Sequence, residues 1–277
     1  MCPRPRWLEC SVAMPESVEK NALSGPKWTD LWRAHELART EQYGLDTGYP
    51  ALNAVLPGGG WPQGLIELLQ SRPGCGEWGL LAPALARVCG AGGPGRVGHA
   101  LAAVLVGAPH APMGGALAAR GLEPSHLLHV AAMAPVERLW AAEQALRCAG
   151  VGCVMLWLDT VQAAHLRRLH MAAQEHAKLL FVFRPQSAQH ESSPAPLRLL
   201  MQWGDAVATN QPTPVLLVRV LKWRGPPLDL SLSLLTATPG LQALLAASRA
   251  QARGRRGSGS VLNREPADAL GRVASLA

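Results

Sequence analysis

Leu65-Ile66-Glu67-Leu68-Leu69-Gln70-Ser71-Arg72-Pro73-Gly74-Cys75-Gly76-Glu77-Trp78-Gly79-Leu80-Leu81 decides the fold. It reads as an apolar strand over 64–70, a glycine turn, and a helix over 78–89. A phosphate loop has this order, because backbone N–H groups and a helix N-terminus together hold an anion. Such a loop ends Gly-Lys-Ser or Gly-Lys-Thr, with the lysine on the phosphates and the hydroxyl on Mg²⁺. This one ends Gly76-Glu77-Trp78. Losing the lysine forfeits a charge-assisted hydrogen bond of about 1.5–3 kcal/mol. A carboxylate within about 4 Å of phosphate adds repulsion of a few kcal/mol at an effective dielectric near 20. Trp78 puts bulk where a metal and its waters would sit. Tight, magnesium-dependent ATP binding is therefore not expected, and a structural turn at Gly74, Cys75 and Gly76 is the plain reading.

Outward from this stretch the chain alternates. Upstream, Thr47 and Gly48 precede a short helix at 50–56 and the turn Pro57-Gly58-Gly59-Gly60-Trp61-Pro62. In helix 78–89, Leu81, Ala84, Leu85 and Val88 share one face, and Pro83 falls in its first turns, where proline is best tolerated. Part of 97–108 is a buried strand, then come a helix near 113–121, a short strand at 127–130 and a helix over 136–149. Val151–Leu158 is the most apolar strand and ends at Asp159. A helix over 163–177, a strand over 178–185, a loop over 186–196 and strands at 197–203, 214–222 and 229–235 complete the pattern. Strand–helix alternation implies an α/β fold: a mostly parallel, twisted sheet with helices on both faces. The last strands follow one another without helices, so antiparallel edge pairing is expected near the C-terminal end.

Residues 1–27 lack periodicity and read as a disordered extension, 28–45 as an N-terminal helix, 46–248 as the core, and 249–277 as a basic, disordered tail. The formal charge is +7, and six arginines against Glu265 and Asp268 place over half of it in that tail. The body is only mildly basic, which suits weak nucleic-acid contact and not a dedicated DNA stripe. The six cysteines form no Cys-x-x-Cys pair, so free thiols in a reducing cytoplasm are expected and no metal site is read. No signal peptide or membrane span is recognised, so a soluble, cytoplasmic protein is expected.

The order of parts over roughly 45–235 resembles a RecA-type core. Within RecA-like proteins it is most similar to the ImuA family, degenerate RecA homologues of bacterial mutagenesis cassettes. Leu31-Trp32-Arg33-Ala34, Pro57-Gly58-Gly59-Gly60-Trp61-Pro62, Leu80-Leu81-Ala82-Pro83-Ala84-Leu85, Trp140-Ala141-Ala142-Glu143-Gln144 and Phe183-Arg184-Pro185 carry that likeness. The resemblance makes Asp159 the Walker B carboxylate by position; without a hydroxyl in the loop, it is expected to cap a strand or helix. It places a water-orienting glutamate at Gly107-Ala108-Pro109-His110, where no carboxylate stands. It puts DNA-facing loops near 160–165 and 186–196, flanked by Arg167, Arg168, Arg184, Arg198, Lys222 and Arg224. These six are candidate DNA or partner contacts, and Trp32 and Trp61 are candidates for an exposed protein interface.

The resemblance implies a non-catalytic adaptor without cofactors in SOS-induced, error-prone translesion synthesis, a DNA-damage repair response. Its partners would be ImuB, a Y-family polymerase relative, and a DnaE-type polymerase. Two readings compete: a SulA-like cell-division inhibitor binding FtsZ, and an atypical DNA-dependent ATPase. SulA-like chains are usually shorter, and the early helix and long tail fit ImuA better.

Overall fold

Every residue of β1, Gly64–Gln70, is buried, because helices cover both faces of the sheet around it and leave no side for polar residues. The computed structural model describes residues 44–90, 100–206, 213–223 and 230–238, with isolated positions from 240 to 251. The expected N-terminal extension, the helix with Trp32, Arg224 and most of the tail lie outside the described residues.

Eight strands form one sheet in the order β3-β2-β4-β5-β1-β6-β7-β8. They are β1, β2 (Ala102–Val106), β3 (Leu127–Val130), β4 (Val151–Trp157), β5 (Leu179–Pro185), β6 (Leu197–Ala206), β7 (Thr213–Lys222) and β8 (Ser231–Leu234). Pairing is parallel from β3 through β6. The β6–β7 and β7–β8 pairs are antiparallel, as the missing helices required.

Among the described residues the α-helices are α1 (Pro50–Val55), α2 (Glu77–Cys89), α3 (Gly114–Ala118), α4 (Pro135–Arg147) and α5 (Ala163–Glu175). Leu52 of α1, Leu81 and Leu85 of α2 and Leu117 of α3 pack on one face with Ile66, Leu68, Phe181 and Leu199. Leu146 of α4 and Leu166 and Leu169 of α5 pack on the other with Leu65, Val154 and Val182. The helix expected near 113–121 is only Gly114–Ala118. Two glycines and the following Pro124 leave it little to propagate with.

Pro83 does not sit in the first turn of α2, but one turn further in. There it cannot donate to the carbonyl of Gly79, four residues back. The Tyr49 hydroxyl donates to that oxygen instead, at 2.6 Å. Gly48, with φ of 85°, lets the incoming chain lie on the proline ring: a Cβ there would stand 2.4 Å from Pro83 Cβ. Tyr49→Phe is therefore expected to cost about 1–3 kcal/mol by leaving a buried carbonyl unpaired. Urea denaturation of the full chain checks this.

Candidate functional site: the turn after the central strand

In the parallel part of the sheet, the loops after β1, β2, β4 and β5 all leave from one edge, where open α/β sheets place their ligands. The β1–α2 turn is at its centre. Gly74 and Gly76 adopt φ of 81° and 90°, a left-handed conformation that glycine takes without steric cost. Gly76 is the N-cap of α2 and offers no side chain to the first-turn N–H groups. The Glu77 carboxylate instead turns back onto the loop before the helix. Its Oε1 accepts the backbone N–H of Gly74 at 2.7 Å.

Glu77 is 3% exposed, and its Oε2 is buried with no hydrogen-bond partner. Trp78 is half-buried and packs against the core beside α2. Cys75 is buried, and its thiol donates to the Met201 carbonyl at 3.7 Å. Burial, reinforced by the nearby Glu77 carboxylate, pushes the Cys75 thiol pKa up, so this cysteine is held protonated rather than as a reactive thiolate. Leu216 and Trp203 lean over Gly76, where a Cβ would meet them at 3.0 and 3.4 Å.

Asp159 lies two residues beyond β4, is exposed, and has no hydrogen-bond or ion-pair partner among the described residues. The expectation that it caps a strand or helix is corrected. The N-cap of α5 is Gln162, and no side chain caps it. Beyond β2 the backbone turns at Gly107, φ 64°. The Arg138 guanidinium fills the space over it, 2.5 Å from where a Cβ would be. Arg138 donates to the carbonyls of Ala132 and Trp157 at 3.0 and 3.2 Å. A cation tying the loop after β3 to the end of β4 therefore occupies the edge where the RecA resemblance calls for a glutamate.

Arg184 and Arg198 are not surface contacts. They are 3% and 6% exposed and converge on Glu67 in β1, which is fully buried. Arg184 Nη1 donates to Glu67 Oε1 at 2.9 Å and Arg198 Nε to Glu67 Oε2 at 2.6 Å. Arg184 also pairs with Glu191 at 2.7 Å. Arg198 further donates to the carbonyls of Ala188, Gln189 and Glu191. A buried charge must be paired, and these two arginines pair the single carboxylate of the central strand. In doing so they fasten the segment after β5, which begins as a 3₁₀ turn at Gln186–His190. The expectation that Arg184 and Arg198 are DNA or partner contacts beside the 186–196 loop is corrected: both are buried.

Of the other candidates, Arg168 pairs with the buried Glu143 of α4, which Arg147 also holds. Arg167 is exposed beside it. Lys222 is exposed and donates to the Ser193 carbonyl at 2.7 Å. Trp61 is fully buried and meets Phe181 edge-on at 5.3 Å, so it is core and not interface. The exposed tryptophans in the described region are Trp140 on α4, at 63%, and Trp203 on β6, at 46%. Among the described residues no cluster of three or more His, Cys, Asp or Glu could hold a metal, and no helix is long and apolar enough to cross a membrane. No protein-family model matches the chain, and no curated protein matches it.

Proposed function

We propose that the chain is a non-catalytic, RecA-like adaptor acting in the cytoplasm in SOS-induced, error-prone translesion DNA synthesis. In this reading it recruits an ImuB-type relative of Y-family polymerases and a DnaE-type polymerase. One observation carries the loss of catalysis: a carboxylate of the protein's own, from Glu77, occupies the turn where a nucleotide phosphate would be held. The central place of β1, with the strand leading to Asp159 lying beyond β5, supports the RecA-like reading of the parts. The Arg138 guanidinium over Gly107 supports the non-catalytic part of the reading. With Arg184 and Arg198 withdrawn into the interior, the candidates for direct DNA contact among the described residues are Arg167, Arg168 and Lys222. Exposed Trp140 and Trp203 offer the aromatic surface that protein interfaces favour.

Purified full-length protein is expected to hydrolyse ATP at background rate with or without single-stranded DNA, and to retain ImuB in a pull-down. A chain truncated after residue 248 should retain it equally if the tail serves solubility alone. ATP hydrolysis above background that disappears in Asp159→Ala would overturn the adaptor reading in favour of an ATPase. Co-purification with FtsZ in place of ImuB would overturn it in favour of a division inhibitor.

A further inference from the structure

We infer that the cavity at the N-terminal edge of the parallel strands binds an amphipathic organic acid, with Lys178 holding its carboxylate and the apolar wall holding its hydrocarbon body. The cavity has a volume of about 1240 Å³, large enough for a small organic molecule. It lies at the sheet edge opposite the β1–α2 turn. Gln63, Val151 and Leu179 line it, and they stand just before β1 and at the starts of β4 and β5. Leu45, Val88 and Leu101 add to its apolar wall.

Lys178 lines this cavity and is only 7% exposed. Its Nζ donates to the carbonyl of Cys148, the C-cap of α4. An ammonium has three N–H donors, and no carboxylate among the described residues pairs with this one. The carbonyl end of a helix offsets about half a charge. The cation is therefore left partly uncompensated, and burial pulls its pKa down. The arginines of the cavity are already paired. Arg87 holds Asp46, the single carboxylate among the described lining residues, at 2.7 Å. Arg147 holds Glu143 at 2.7 Å.

A second buried donor in the same wall is unmet. Trp61 is wholly buried, and its indole Nε1 has no acceptor. A buried charge needs a partner of opposite sign, and a buried donor needs an acceptor. A carboxylate supplies both. The apolar side chains around it favour a ligand with a hydrocarbon body over a bare inorganic anion. Polymerase recruitment makes no demand on this cavity, so the inference is independent of the adaptor reading.

The test titrates the full-length chain with decanoate, below its micelle concentration, by calorimetry. Parallel titrations use 1-decanol, which lacks the charge, and acetate, which lacks the tail. Decanoate is expected to bind saturably at one site per chain, at least about tenfold more tightly than either, the scale of one charge-assisted hydrogen bond or a few buried methylenes. Lys178→Met should lose at least about tenfold in decanoate affinity and leave decanol binding unchanged, a split that a general loss of packing would not give. No saturable binding of decanoate overturns the inference. So does decanoate bound no more tightly than decanol, or bound by Lys178→Met as well as by wild type. If Lys178→Met does not fold, Ala149→Trp decides. Ala149 is exposed and lines the cavity, so an indole there narrows the space without entering the core. Decanoate binding weakened at least about tenfold supports the site, and unchanged binding overturns it.

Discussion

Glu67→Leu is expected to destabilise the protein by about 3–5 kcal/mol, the scale for removing one member of a buried ion pair and stranding its partners. Two guanidinium groups depend on this one carboxylate, Arg184 at 2.9 Å and Arg198 at 2.6 Å. Arg184 would keep the exposed Glu191, and Arg198 would keep three backbone carbonyls. Neither replaces a negative charge at the centre of the sheet. Against a total stability of about 5–15 kcal/mol for an ordinary domain, such a loss brings the variant close to unfolding at 37 °C. Urea denaturation with an unchanged m-value and a lowered midpoint would confirm the mechanism. The combined variant Glu67→Leu, Arg184→Leu, Arg198→Met removes the whole charge set and should recover most of the loss. It also releases the carbonyls of Ala188, Gln189 and Glu191. Faster amide exchange across 186–196 with near-normal global stability is the expected pattern. A single Glu67→Leu as stable as wild type would show that the pairs do not hold the fold.

Trp61→Ala is expected to cost about 3–5 kcal/mol through lost burial and the cavity left behind. The side chain is wholly inaccessible and forms an edge-to-face pair with Phe181, interplanar angle 86°. Its backbone bonds with Leu45, at 2.7 and 2.9 Å, involve no side-chain atom and would survive. The indole Nε1 is buried without an acceptor. Trp61→Phe trades that stranded donor for lost volume and should cost less than about 1.5 kcal/mol. Thermal or urea unfolding of both variants separates packing from hydrogen bonding. ImuB retention unchanged in Trp61→Phe would agree with a core position. A stable Trp61→Ala chain that loses only its partner would restore this residue to the interface.

The layout of the sheet was legible because apolar runs and helical periods are local properties. The bounds of β1 agree to the residue, and the antiparallel end followed from strands without intervening helices. The role of the arginines was not legible by proximity. Arg184 and Arg198 stand next to a loop in sequence, yet they serve a carboxylate 117 and 131 residues away. A signal was nonetheless present: Glu67 is a lone charge within a seven-residue apolar strand, which can be buried only with partners. In sequence Glu77 is a charge that repels phosphate; its bond back to the Gly74 N–H starts from the first residue of the helix and reaches past the N-cap, so no capping pattern announces it. Trp61 was misassigned because a tryptophan flanked by glycine and proline carries no periodicity, and nothing local tells a buried ring from an exposed one. Trp140 lies on a helix whose inward face is set by Ala142 and Leu146, so its exposure follows from the period.

The central position of β1 also bears on how the protein is made. This strand is made before both of its neighbours in the sheet, β5 and β6, which begin only at Leu179 and Leu197. At about 5–20 residues per second, the 131 residues from Glu67 to Arg198 take roughly 7–26 s to synthesise. For that interval the nascent chain carries an unpaired apolar strand with an uncompensated carboxylate at its middle. That charge interrupts a segment that would otherwise suit strand-to-strand aggregation. A charge at that place is what a gatekeeper residue supplies, and the same carboxylate is the partner of Arg184 and Arg198 once the chain is complete.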